Sequence, residues 1–193
     1  VVARSLTDGS ERWRASFSTD IWIQPRVRRS SVLVGSTDTL SVRSLADGSE
    51  RWRYRTDGKL RVQPVVARDR GVLVVPVVLG DYETGRVDAL SLDTGDRAWR
   101  VDTETEANSL SPVVDGTVYA GFNREIRGYS VGDGTPLPDG EQPSAVGGAH
   151  IGSVPHERLL FAHDGILYVP VLGESVRVVA YDPAADEVLW RFE

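Results

Sequence analysis

An eleven-residue unit recurs five times without a gap along this 193-residue chain, and it constrains the fold more than any other feature. It reads ARSLTDGSERW at Ala3–Trp13, VRSLADGSERW at Val42–Trp52 and ALSLDTGDRAW at Ala89–Trp99. Two divergent copies follow, GYSVGDGTPLP at Gly128–Pro138 and AYDPAADEVLW at Ala180–Trp190. Their spacing, about 40–50 residues, suits one four-stranded antiparallel unit with its turns. A second element keeps the same phase. Pro25, Pro64, Pro112 and Pro155 each open an apolar segment, a turn and a second apolar segment. Each repeat therefore predicts four short strands, the third leading into an Asp-Gly or Thr-Gly turn and the fourth carrying the Trp.

The residue types of the unit are those of packing. Glycine at its seventh place (Gly9, Gly48, Gly95, Gly134) permits a positive φ in the turn and leaves a bare peptide face. Tryptophan at its eleventh place (Trp13, Trp52, Trp99, Trp190) brings a large flat ring with one N–H to satisfy. A ring from one unit laid on the bare peptide of the next would contribute roughly 2–3 kcal/mol by burial. Ligand-stacking aromatics are the other reading of these four tryptophans, and their fixed place in the repeat favours packing.

The unit resembles the PQQ-like (quinoprotein-type) β-propeller repeat, whose tryptophan-docking motif runs Ala-x-Asp-x-x-Thr-Gly-x-x-x-Trp. Ala89, Thr94, Gly95 and Trp99 match it in the third window; Ala180, Asp182 and Trp190 match in the last, where Asp186 replaces the glycine. The fourth window keeps Gly134 but has Pro138 for the tryptophan. The resemblance implies an all-β propeller of four-stranded antiparallel blades. About four and a half blades are present, read as a fragment of a seven- or eight-bladed ring. The chain is expected to form one partial propeller domain over 1–193, with a half-blade at 1–17 and blades at about 18–56, 57–103, 104–141 and 142–193. Opening on Val1-Val2-Ala3 with no Met, it reads as part of something longer. Propellers of the outer-membrane-assembly lipoprotein kind are implied, and with them a non-catalytic protein-binding or scaffold role, no cofactor and an extracytoplasmic or cell-surface location. The alternative is part of a quinoprotein dehydrogenase using pyrroloquinoline quinone and calcium. The expected partner is a protein, and self-association through open blade edges is a further expectation.

Composition narrows the field. A net charge of −6 argues against a broad nucleic-acid surface, and the absence of cysteine excludes disulfides and thiolate metal sites. No apolar run approaches the ~18–20 residues of a membrane-spanning helix. His150, His156 and His163 are spaced as no common metal motif is. A calcium–quinone site needs carboxylates and asparagine, yet only Asn108 and Asn123 are asparagine.

Partner or ligand contacts are expected where inner strands and their entry loops face the channel. Gln24, Gln63 and Ser111, just ahead of three of the phased prolines, are candidate polar lining; the alternative is that they satisfy loop backbone. Trp22, the one tryptophan outside the docking pattern, and Arg61, at the equivalent place in the next repeat, are candidates for a stacking and charge contact. Two insertions lengthen the repeat: Leu79 to Arg86, expected to protrude between two strands, and Asp139 to His150, rich in Gly and Pro, after the fourth window.

Overall fold

In the computed structural model the described residues are 1–80, 84–122, 125–139, 142–143, 160–172 and 176–192. They form five antiparallel sheets, each a meander in chain order. β1 (Val2–Arg4) and β2 (Glu11–Arg14) make a two-stranded sheet. β3 (Ile21–Arg28), β4 (Ser31–Ser36), β5 (Thr39–Ser44) and β6 (Glu50–Arg55) make the next. A third contains β7 (Val65–Ala67), β8 (Val72–Leu79), β9 (Thr84–Ser91) and β10 (Arg97–Thr103). β11 (Ser109–Leu110), β12 (Thr117–Gly121) and β13 (Ile126–Ser130) form a three-stranded sheet. The last holds β14 (Phe161–His163), β15 (Ile166–Leu172), β16 (Val176–Asp182) and β17 (Glu187–Phe192). This is the all-β propeller architecture expected from the repeat.

The eleven-residue unit builds the hairpin of the two outer strands in each sheet. Gly9, Gly48, Gly95 and Gly134 all take φ between 73° and 79°, the left-handed region that the turn needs. Asp186 stands at the same place in the last copy with φ 49°, and its carboxylate accepts a 2.5 Å hydrogen bond from Tyr181 Oη. Aspartate tolerates this conformation better than most residues. A register shift follows the first residue of the unit in β1 and β5 and falls at the equivalent place in the β10–β9 and β16–β17 pairings. The bulge aims the tryptophan out of its own sheet and onto the next.

Three inter-sheet joints repeat one geometry. Trp13 Nε1 donates to Leu45 O at 2.9 Å, Trp52 Nε1 to Leu92 O at 2.9 Å, and Trp99 Nε1 to Val131 O at 3.0 Å. Each ring lies flat on the glycine of the receiving hairpin. A methyl group at Gly48, Gly95 or Gly134 would come within 2.6–2.7 Å of the ring of Trp13, Trp52 or Trp99 respectively. The three rings are only 7–8% exposed. Trp190 is 47% exposed, and a methyl group at Gly9 would meet no atom of the described residues within 4 Å.

The fourth window departs from this plan. With Pro138 in place of tryptophan, the last strand of its sheet is reduced to a Tyr129–Pro136 bridge, and Leu137 N donates to Gly128 O. Leu137 lies against Gly128 and packs beside Tyr119, Tyr181, Leu167 and Val179 in the core shared with the last sheet. The insertion after β8 is shorter than the sequence suggests. Thr84, Gly85 and Arg86 continue the sheet opposite Leu79, Val78 and Val77, and Arg86 is buried rather than protruding. Of the second insertion, Gln142 binds back: its Oε1 accepts from Gly128 N at 2.8 Å and its Nε2 donates to Leu137 O. Residues 140–141 and 144–150, with Asn123, His150, Pro155 and His156, lie outside the described residues.

Candidate functional site

The innermost strands, each at the edge of its sheet, face a groove of about 940 Å³. β3 and the segment from Arg61 to Arg68 supply equal shares of its wall, and Leu33, Leu110, Pro112, Val113, Leu160 and Phe161 the remainder. β3 shows why a strand can serve this purpose. Of its eight residues only Ile23 is buried, as an anchor against Leu33 and Leu40, and the others stay open or half-open. Pro25 is tolerated because this strand is an edge and bulges at that point.

Four of the five candidate contact residues line the groove: Trp22, Gln24, Arg61 and Gln63. Trp22 and Arg61 meet each other, with the guanidinium carbon 5.3 Å from the ring centroid. The amide oxygen of Gln63 is buried with no hydrogen-bond partner among the described residues. Ser111 is elsewhere. It is fully buried, its hydroxyl donates to Pro112 O at 2.7 Å and accepts from Tyr119 N at 3.0 Å, so it is spent on loop backbone.

Sequence reasoning missed three arginines that share this wall, Arg26, Arg28 and Arg68. The signal was present as Arg26-Val27-Arg28 on an inner strand, a two-residue alternation masked by the abundance of arginine throughout the chain. No carboxylate lines the groove among the described residues. Partial burial pushes the Arg28 guanidinium below its ordinary pKa, and the nearby charges of Arg68 and Arg29 add to the effect. Exposed apolar surface is interleaved with this charge: Val27 is 64% and Phe161 55% exposed.

A second polar cluster has a different character. Asp88 on β9 is fully buried and accepts from Arg86 Nε at 3.1 Å and from Arg100 Nε at 2.7 Å, with Tyr54 Oη a third donor. Arg86 also donates to Thr56 Oγ1 at 2.7 Å and pairs with Asp57. Burial opposes the charge on Arg86, but Asp57, Tyr54 and Asp88 more than offset this and hold it above the ordinary guanidinium range. Burial first, and the Asp88 carboxylate second, push the Tyr54 phenol up. Every member is satisfied from within, so this cluster ties the β3–β6 sheet to the β7–β10 sheet and offers nothing to a ligand. Among the described residues no group of three His, Asp or Glu side chains could hold a metal, and His163 is the exposed last residue of β14, beside Asp164.

Radial four-stranded sheets riveted by tryptophan on glycine define the PQQ-like β-propeller class. Within that class the chain belongs to the family described as outer membrane protein assembly factor BamB, whose model matches residues 1–190. No curated protein sequence matches significantly. Solved structures agree on the fold. BamB from Moraxella catarrhalis is similar over 100% of this chain and 57% of its own length, at 16% identity and a TM-score of 0.65. The computationally designed Ika4 protein is similar over 88% of this chain and 97% of its own, at 15% identity and a TM-score of 0.65. Quinohemoprotein alcohol dehydrogenase from Comamonas testosteroni is similar over 91% and 35%, at 16% identity and a TM-score of 0.63. The chain thus spans little more than half the length of the BamB structure it matches. No helix among the described residues is long and apolar enough to cross a membrane.

Proposed function

We propose that this propeller segment is a non-catalytic protein-binding or scaffold module, and that it engages its partner through the inner groove. The observation that carries the reading is the groove itself, an open wall on which a stacked Trp22–Arg61 pair stands beside exposed Val27 and Phe161. Aromatic and arginine side chains set in apolar surface are the residue types that dominate protein interfaces. Family membership supports the same role, since BamB is described as an assembly factor. In the chain as it stands, the open Trp190 ring and the open Gly9 turn are the two halves of the internal joint, and they would allow copies to associate end to end.

The dehydrogenase reading has structural neighbours in its favour. Calcium needs oxygen ligands, chiefly carboxylates. The described groove wall carries four arginines and no carboxylate, a set that repels a divalent cation. These residues do not fit the calcium–quinone pair, and no redox step is derived for them.

A photo-crosslinking residue at Val27 tests the reading. A discrete protein adduct that disappears in a Trp22→Ala, Arg61→Ala double variant is expected. Absence of any adduct, or dye-linked alcohol oxidation by the purified protein supplied with pyrroloquinoline quinone and calcium, would overturn it.

A further inference from the structure

The chain has more acids than bases, 28 Asp and Glu against 22 Lys and Arg. Six arginines elsewhere, Arg14, Arg43, Arg53, Arg86, Arg100 and Arg127, pair with carboxylates within 4 Å, whereas exposed ones such as Arg4, Arg12, Arg51 and Arg97 form no ion pair among the described residues. Arg26, Arg28 and Arg68 form no ion pair among the described residues, although they share one wall with Arg61. An acidic protein that gathers Arg26, Arg28, Arg61 and Arg68 on one concave surface, where Glu106 feels the charge of Arg61 but no carboxylate lines the described wall, carries a local field opposite in sign to its net charge. Such a surface is complementary to an anion.

The remaining features decide which anion. Exposed Trp22, Val27 and Phe161 stand among the arginines. A polyphosphate or a nucleic-acid backbone has no apolar group to rest on Val27 and Phe161. Among the described residues β3 pairs only with β4, so its groove-side edge carries no ladder there. Its eight residues extend about 26 Å at the usual rise per residue, the length of an extended peptide of similar size. An extended segment lying along an inner strand presents its side chains to both walls.

We propose that the inner groove takes an extended acidic polypeptide segment, its carboxylates held by Arg26, Arg28 and Arg68 and its apolar side chains seated on Trp22, Val27 and Phe161. Arginine is suited to this because its planar fork can meet a carboxylate through two parallel hydrogen bonds. The inference rests on the reading of the groove as a partner-binding surface and names the chemistry of what it binds.

The test is fluorescence anisotropy with a labelled peptide of alternating Glu and Phe, about a strand in length. Saturable binding to the purified chain is expected, weakening about tenfold or more as salt is raised from roughly 0.05 to 0.5 M. An Arg28→Glu, Arg68→Glu double variant should bind the peptide at least about tenfold more weakly and gain affinity for a Lys-Phe peptide of the same length. Arg68 is exposed and Arg28 only half-buried, so far-ultraviolet circular dichroism and the melting temperature should match the unsubstituted protein. No saturable binding of the acidic peptide, equal binding by the charge-reversed variant, or tighter binding of a single-stranded oligonucleotide of equal charge would each overturn the inference. If it fails while the Val27 adduct remains Trp22-dependent, the groove binds protein of another chemistry. If both fail, the partner-binding reading fails with it.

Discussion

The seventh place of the repeat unit does two jobs that substitution can separate. Gly9 and Gly95 have nearly the same backbone conformation, φ 73° and 79°, but Gly95 lies under the Trp52 ring and Gly9 under nothing. Alanine at either position meets the left-handed penalty of about 1–2 kcal/mol. At Gly95 the new methyl must also displace an indole 2.6 Å away, breaking the Trp52–Leu92 hydrogen bond. Gly95→Ala should therefore cost roughly 2–3 kcal/mol more than Gly9→Ala in urea denaturation. Equal losses would mean that the glycine serves the turn alone.

At the scale of strands and sheets, the joints are only part of what holds neighbours together. The Asp88 cluster is the other contribution between the β3–β6 and β7–β10 sheets. Asp88→Ala leaves Arg86 buried beside an unpaired Tyr54, and a loss of about 3–5 kcal/mol is expected by chemical denaturation. A loss under about 1 kcal/mol would show that the cluster is replaceable by solvent. The repeat unit made the outer hairpins legible, because glycine, turn residue and tryptophan are local signals at fixed spacing. The Asp88 cluster was not legible. Arg86 appeared to belong to a loop, and Tyr54, Asp88 and Arg100 are brought together only by the packing of two sheets. The groove was half legible for the same reason. Trp22 and Arg61 stood out as departures from the repeat, whereas Arg26 and Arg28 looked like ordinary surface arginines until β3 was seen to be an inner edge.

For the molecule as a whole, the joint has a direction. Each tryptophan reaches forward to the glycine of the following hairpin, so a row of sheets ends with one open ring and begins with one open turn. Trp190 and Gly9 occupy those positions, with Leu6 O as the counterpart of the Leu45, Leu92 and Val131 acceptors. Sedimentation velocity of the purified chain should show concentration-dependent association that Trp190→Ser reduces. Unchanged association in the variant would move the contact elsewhere.

Pro138 has a consequence for how the structure opens. Where the unit keeps its tryptophan, neighbouring sheets are clamped by ring and hydrogen bond; after β13 that clamp is missing, and among the described residues the last sheet is held by the core around Tyr119, Leu137 and Tyr181. In a linear array, stability is the sum of what each unit holds and what each boundary adds. The boundary before β14 is therefore the place where cooperativity should break first, making β14–β17 a foldon of its own. Amide hydrogen exchange should show its core strands, β15 and β16, exchanging through a lower-energy opening than β8 and β9. A single common opening energy across both pairs would mean that the tyrosine–leucine core couples the sheets as firmly as the indole does.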